Sequence, residues 1–191
     1  MEQKNVTSDV FESTITMENR FESFYSFSIE AVYYLKMVDK FINKHELSGK
    51  VIIDHICFKC ESPLEYDCLR KMLEQDLPSK YFYQVHLSGR RVAYIGLKNG
   101  LETTENKVMC IELADKKSVI EDRLGFHHVE IYPISMSYQE LVDHLSEKGE
   151  KITYKNRPHH TTHDVTLSDD FMIRLTDQPL IKKIIKEELS K

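Results

Sequence analysis

Two short segments, 73 residues apart, constrain this chain more than any other feature. Ile52-Ile53-Asp54-His55-Ile56-Cys57-Phe58 and Gly125-Phe126-His127-His128-Val129-Glu130-Ile131-Tyr132 are apolar runs with one histidine in a matching place, and both read as buried strands. The residues just after each strand match as well. Ser62-Pro63-Leu64-Glu65 and Ser137-Tyr138-Gln139-Glu140 are Ser-x-x-Glu capping boxes, which open helices by satisfying first-turn N–H groups. The predicted helices carry Leu64, Cys68, Leu69, Met72, Leu73 and Leu141, Val142, Leu145 at spacings that suit one buried face each. Each unit then closes in a strand, Val108–Leu113 and Phe171–Leu175. Superposing the units puts Arg174 where the first has Glu112. The first unit is longer, and the polar stretch Lys98–Lys107 is assigned as the turn that holds the excess. The pattern is a βαβββ unit written twice.

The expected fold is α+β: paired βαβββ modules forming a curved mixed sheet around a cavity, with extra N-terminal helices and a C-terminal helix. Residues 1–19 read as a flexible segment and 20–49 as a helical one. Residues 50–191 form the main domain, with module one at 50–116, module two at 124–177 and a C-terminal amphipathic helix at 178–190. The helical pattern runs from about Arg20 to Leu47, with Gly49 as its stop, and a break near Asn19 divides it from a weaker set at Val10, Phe11 and Ile15. Its aromatic stripe, Phe21, Phe24 and Phe27, is expected to cover the adjacent sheet rather than to dock a partner.

Composition excludes several functions. With 41% hydrophobic and 30% charged residues over 191 positions, the chain has enough apolar mass for a real interior. A formal charge of −5 and the lack of a Lys/Arg stripe argue against nucleic acid. No segment approaches the ~20 apolar residues of a membrane helix, and the start reads as lacking a signal sequence, so the expected location is cytoplasmic. Four cysteines suit a reducing compartment. Cys57 and Cys60 form a C-x-x-C, but at that spacing on a strand the thiols take opposite faces, so they read as packing residues.

Strand parity picks out the polar residues that converge. Counting strictly by twos, His55 shares a face with Ile53, Cys57 and Lys59, and His128 with Phe126, Glu130 and Tyr132. The aliphatic faces should pack on helices and the mixed faces should line the concave side. His55, Glu112, His128 and Arg174 then occupy symmetric inner positions. Two imidazoles and a carboxylate make a metal site of the two-His-one-carboxylate kind, suited to Zn, Fe, Mn, Ni or Co, with positions left for substrate. The alternative is a pair of core histidines bonded to carbonyls. Glu130 lies within reach of such a centre as a general base or as a group orienting an imidazole. Tyr132, Arg174 and His163 are the candidate substrate-binding residues. His163 belongs to the run Arg157–His163, which reads as cavity mouth or solvated loop.

Asp54-His55-Ile56-Cys57-Phe58-Lys59-Cys60, Ser88-Gly89-Arg90, Ile111-Glu112-Leu113 and His128-Val129-Glu130-Ile131, set on a doubled βαβββ pattern, resemble the vicinal oxygen chelate superfamily of glyoxalases, epimerases and extradiol dioxygenases. Within it they resemble the YecM-like family, over about residues 20–190. The resemblance implies the fold and a divalent-metal site with His, acid, His and acid at 55, 112, 128 and 174. Arg174 departs from it, because a guanidinium cannot ligate a metal. Facing open coordination positions, Arg174 could hold a substrate carboxylate or phosphate; paired with Glu112 or Glu130, it would fill the site instead. The expected function is a divalent-metal enzyme acting on a small oxygenated, anionic metabolite by lyase, isomerase or dioxygenase chemistry. The alternative is a non-catalytic binding or interaction protein that keeps the fold. A small molecule is the expected partner, and a homodimer is left open.

Overall fold

The structure is a computed structural model that describes residues 20–75, 79–87, 89–117, 123–156, 161–169, 171–179 and 182. Residues 1–19, most of the C-terminal helical pattern and His159 lie outside this set. The described elements are α1 (Phe24–Lys44), β1 (Val51–Lys59), α2 (Pro63–Gln75), β2 (Ser79–Leu87), β3 (Arg90–Glu102), β4 (Lys107–Ala114), β5 (Gly125–Pro133), α3 (Tyr138–Glu147), β6 (Ile152–Asn156), β7 (Thr161–Thr166) and β8 (Met172–Leu175). The strands form one mixed sheet in the order β2-β3-β4-β1-β5-β8-β7-β6. β1 and β5 pair antiparallel at the centre, β1 runs parallel to β4, and β5 runs parallel to β8. Each half is a βαβββ module, and the halves mirror one another in strand order. The expected fold class is the one found.

The described helices α1, α2 and α3 cover one face. Phe27, Ala31, Leu35 and Val38 of α1, Leu69 and Leu73 of α2, and Leu141 and Leu145 of α3 share a single core with Ile56, Phe58, Ile111, Phe126, Val129 and Ile173 of the sheet. The aromatic stripe of α1 packs inward as expected: the rings of Phe27, Phe58 and Phe126 meet with centroids 5.0 to 5.6 Å apart. On α2 the buried face is rotated from the expected one. Tyr66 is buried, whereas Leu64 and Cys68 are exposed. Tyr66 is drawn inward because its hydroxyl donates to Gln84 Oε1 at 2.9 Å and the Arg91 guanidinium lies 4.4 Å over its ring.

Caps follow the sequence with small differences. Ser137 and Glu140 satisfy each other's backbone N–H groups at the start of α3. At α2, Ser62 Oγ accepts from the Glu65 N–H, but the Glu65 carboxylate reaches one residue further back, to the N–H of Glu61. α1 ends earlier than Gly49. The Leu47 N–H donates to Ile42 O and the Glu46 N–H to Asn43 O, a Schellman closure with Glu46 itself at φ 55°. A left-handed conformation strains a side-chain-bearing residue and not glycine. Glu46→Gly is therefore expected to raise stability by roughly 0.5–1 kcal/mol in urea denaturation. A loss of stability would show that the Glu46 side chain matters more than its backbone.

The stretch assigned to a polar turn is mostly strand. β3 runs on to Glu102, and Leu101 pairs with Val108 across a register shift after Gly96. Both side chains are buried, and that burial keeps the hairpin extended to Thr103–Asn106. Asn106 Nδ2 then donates to the buried Asp39 of α1 at 2.6 Å, pinning the turn to the helix layer.

Candidate metal centre

Two matched irregularities in the central strand pair build the site. Across β1 and β5, Ile53 pairs with Ile131 and His55 with Glu130, which makes Asp54 an extra residue. Cys57 pairs with His128 and Phe58 with Phe126, which makes His127 extra on the other strand. A bulge reverses the alternation of side chains beyond it. Ile53 and Phe126 therefore point to the helix layer and not to the histidine face where strict parity had put them. His55, Cys57, His128 and Glu130 share the opposite face, and β4 and β8 add Glu112 opposite Cys57 and Arg174 opposite Glu130.

The bulged residues orient the histidines. Asp54 Oδ2 lies 2.8 Å from His55 Nδ1, and His127 Nδ1 lies 2.9 Å from His128 Nδ1. Each ring thus presents Nε2 inward. His55 Nε2 stands 3.2 Å from Glu112 Oε2, near enough for an ion pair but without hydrogen-bond geometry. His128 Nε2 stands 2.6 Å from Arg174 Nη1. A guanidinium only donates, so His128 Nε2 accepts, Nδ1 carries the ring proton, and His127 Nδ1 accepts that proton. Neither Asp54 nor His127 was singled out from sequence. The available signal was that each precedes its histidine at the same 73-residue offset.

Arg174 is committed to the protein. Nη1 donates to Glu130 Oε1 at 3.2 Å, and Nε donates to Asp164 Oδ1 at 3.2 Å on the neighbouring strand. The Glu130 ion pair named as an alternative is present. Asp164 was missed, because its place beside Arg174 depends on the β7–β8 register, Asp164 opposite Arg174. Glu112 Oε1 accepts the Cys57 thiol at 3.1 Å, and Tyr94 pairs with Glu112 across β3 and β4. Cys57 and Cys60 do take opposite faces, Cys57 in the site wall and Cys60 in the helix-side core. Tyr132 is half-buried on the site face at the far end of β5. His163 points the other way. Its Nδ1 meets the Tyr138 hydroxyl of α3 at 2.7 Å, while its neighbour Asp164 faces Arg174.

Burial and charge set the protonation of the centre. Burial pulls the His55 imidazole down, but Glu130, Asp54 and Glu112 outweigh it and hold it well above its ordinary value. His128 goes well below, first through burial and then through the Arg174 charge. His127 falls to about 3, again mainly by burial. Burial raises Glu130 despite His55 and Arg174, whereas His55 and the Cys57 thiol overcome burial to lower Glu112.

The donors suit a divalent cation. Asp54 and Glu112 lie against the His55 imidazole, and Glu130 and Asp164 lie against the Arg174 guanidinium. Donor atoms of His55, His128 and Glu130 lie within 4.8 Å of one another, as do those of Cys57, Glu112 and His128. His55 Nε2 and Glu130 Oε2 are buried without a hydrogen-bond partner among the described residues. Unpaired buried polar atoms cost about 1–3 kcal/mol each, and a bound ion is one of the few things that explains them.

Paired βαβββ modules around a buried histidine–carboxylate centre define a protein of the vicinal oxygen chelate fold. Within that class the chain belongs to the family described as YecM protein, whose sequence model matches residues 27–177. The solved structure of Protein EC4020 covers 84% of this chain and 93% of its own, with a TM-score of 0.58 at 16% identity. Methylmalonyl-CoA epimerase from Mycobacterium tuberculosis is similar over 64% of this chain and 85% of its own, with a TM-score of 0.46 at 12% identity. FosX of Listeria monocytogenes, a fosfomycin resistance protein complexed with Mn(II) and sulfate, aligns over 70% of this chain and 94% of its own, with a TM-score of 0.26 at 11% identity. No curated protein matches. No helix among the described residues is long and apolar enough to cross a membrane.

Proposed function

We propose that this chain is a divalent-metal-dependent enzyme of the vicinal oxygen chelate type that acts on a small oxygenated metabolite. The observation that carries the reading is the convergence of His55, His128 and Glu130 donor atoms within 4.8 Å of one another, with His55 Nε2 and Glu130 Oε2 buried and without a hydrogen bond among the described residues. His55 and His128 would hold the ion together with a carboxylate, Glu112 or Glu130. When bound, the ion would supply Lewis-acid polarisation of a substrate oxygen. The protein's own part is to hold the imidazoles rigidly through Asp54 and His127, and to move the substrate proton with the second carboxylate. The wall of Val85, Val92, Tyr94 and Cys110 excludes water on the module-one side. Arg174 would bind an anionic substrate only by giving up Glu130 or Asp164 for it.

A non-catalytic binding module is the second reading, favoured by the guanidinium resting on His128 Nε2. Metal analysis of the purified chain separates the two. A stoichiometric divalent ion is expected, lost in His55→Ala and in His128→Ala and kept in His163→Ala, whose ring lies against α3. Equal metal content in all three variants would sink the proposal.

A further inference from the structure

Granting that an ion is held here, we infer that the carboxylate ligand is Glu130 rather than Glu112, and that Arg174 is the resident counter-cation which the ion displaces. Glu130 sits directly opposite His55 in the β1–β5 register, on the strand that also carries His128. The donor atoms of these three residues are mutually within 4.8 Å, and His128 Nε2 lies 3.7 Å from Glu130 Oε1. Bonds of ~2.0–2.2 Å in tetrahedral geometry need donors roughly 3.4 Å apart, so little movement is required. Glu112 is already engaged, with Oε1 on the Cys57 thiol and Oε2 facing His55. Glu130 Oε2 is the carboxylate oxygen of the pair that is buried and without a hydrogen bond among the described residues.

Arg174 marks the same two donors. Its Nη1 donates to His128 Nε2 and to Glu130 Oε1, the lone pairs that an ion would need. A guanidinium N–H and a metal ion cannot use one lone pair together. The Nε–Asp164 bond is independent of both donors, so Arg174 can withdraw Nη1 and keep its carboxylate partner on β7. Glu130 thereby supplies the one carboxylate that neither β4 nor β8 gives the ion, and Arg174 balances Glu130 whenever no ion is bound.

The test is titration of the full-length chain with Co(II), read by calorimetry and by the visible d–d spectrum. The parent should bind one Co(II). Glu130→Gln should weaken binding by tenfold or more and change the band intensity, whereas Glu112→Gln should weaken it less. Arg174→Gln should tighten it by tenfold or more. Should Glu130→Gln alone fail to fold, Glu130→Gln combined with Arg174→Gln removes both partners of the ion pair, and it should bind far more weakly than Arg174→Gln. Should Arg174→Gln fail to fold, the double variant is compared with the parent and should still bind at least tenfold more weakly. A Glu130→Gln or double variant that keeps its reference's affinity and spectrum overturns the inference, as does a larger loss in Glu112→Gln. A parent that binds neither Co(II) nor Zn(II) overturns the metal reading itself.

Discussion

Arg174→Met is expected to lower the stability of the metal-free protein by about 3–5 kcal/mol, because it removes the buried cation that pairs with both Glu130 and Asp164. Glu130 is 1% exposed and Asp164 7% exposed, so water cannot take over the solvation that the guanidinium provides. Methionine matches the volume of the arginine stem, which confines the change to charge and hydrogen bonding. Added Zn(II) should recover much of the loss. An ion at a hundred times its dissociation constant stabilises by about 2.7 kcal/mol, and the variant no longer makes it compete with a guanidinium. Urea melts with and without Zn(II) measure both effects. A variant as stable as the parent without metal would mean that Arg174 does not neutralise these carboxylates.

Phe27→Ala should cost about 3–5 kcal/mol, the usual range for removing a buried aromatic side chain. Phe27 is fully buried and touches the rings of Phe21, Phe58 and Phe126, so its loss loosens α1 from both central strands at once. For a chain of this size the thermal midpoint should fall on the order of 10 °C. Tyr25, two residues earlier on the same helix and 73% exposed, is the control. Tyr25→Ala should stay within about 0.5 kcal/mol of the parent. Comparable losses from both substitutions would mean that the helix is held by its outer face as well.

The buried histidine–carboxylate centre was legible in sequence to the extent that it rests on period and repetition. His55 and His128 stand out because a single polar residue at one place in two similar apolar strands is hard to obtain by chance in a core. The same alignment brought Glu112 and Arg174 to the inner face, and β4 and β8 do deliver them there. The capping boxes marked the helix starts, since Ser and Glu at that spacing satisfy backbone groups locally and need no tertiary partner.

Other features depended on distant contacts. A strand read by twos cannot reveal an inserted residue, so the bulges at Asp54 and His127 went unseen, and with them the true faces of Ile53 and Phe126. Asp164 and the direction of His163 come from how β7 lies against β8 and α3, partners that residues in β7 do not announce.

The chain's own alternation, caps and repeated histidine determined two βαβββ modules and placed His55, Glu112, His128 and Arg174 on one inner face, because those signals act between near neighbours. Only the tertiary structure decided how the charges are matched. It put Arg174 between His128, Glu130 and Asp164, Cys57 on Glu112, and Glu130 across from His55. Those pairings are fixed by register and by the need to compensate buried charge, and both exist only once the strands are side by side.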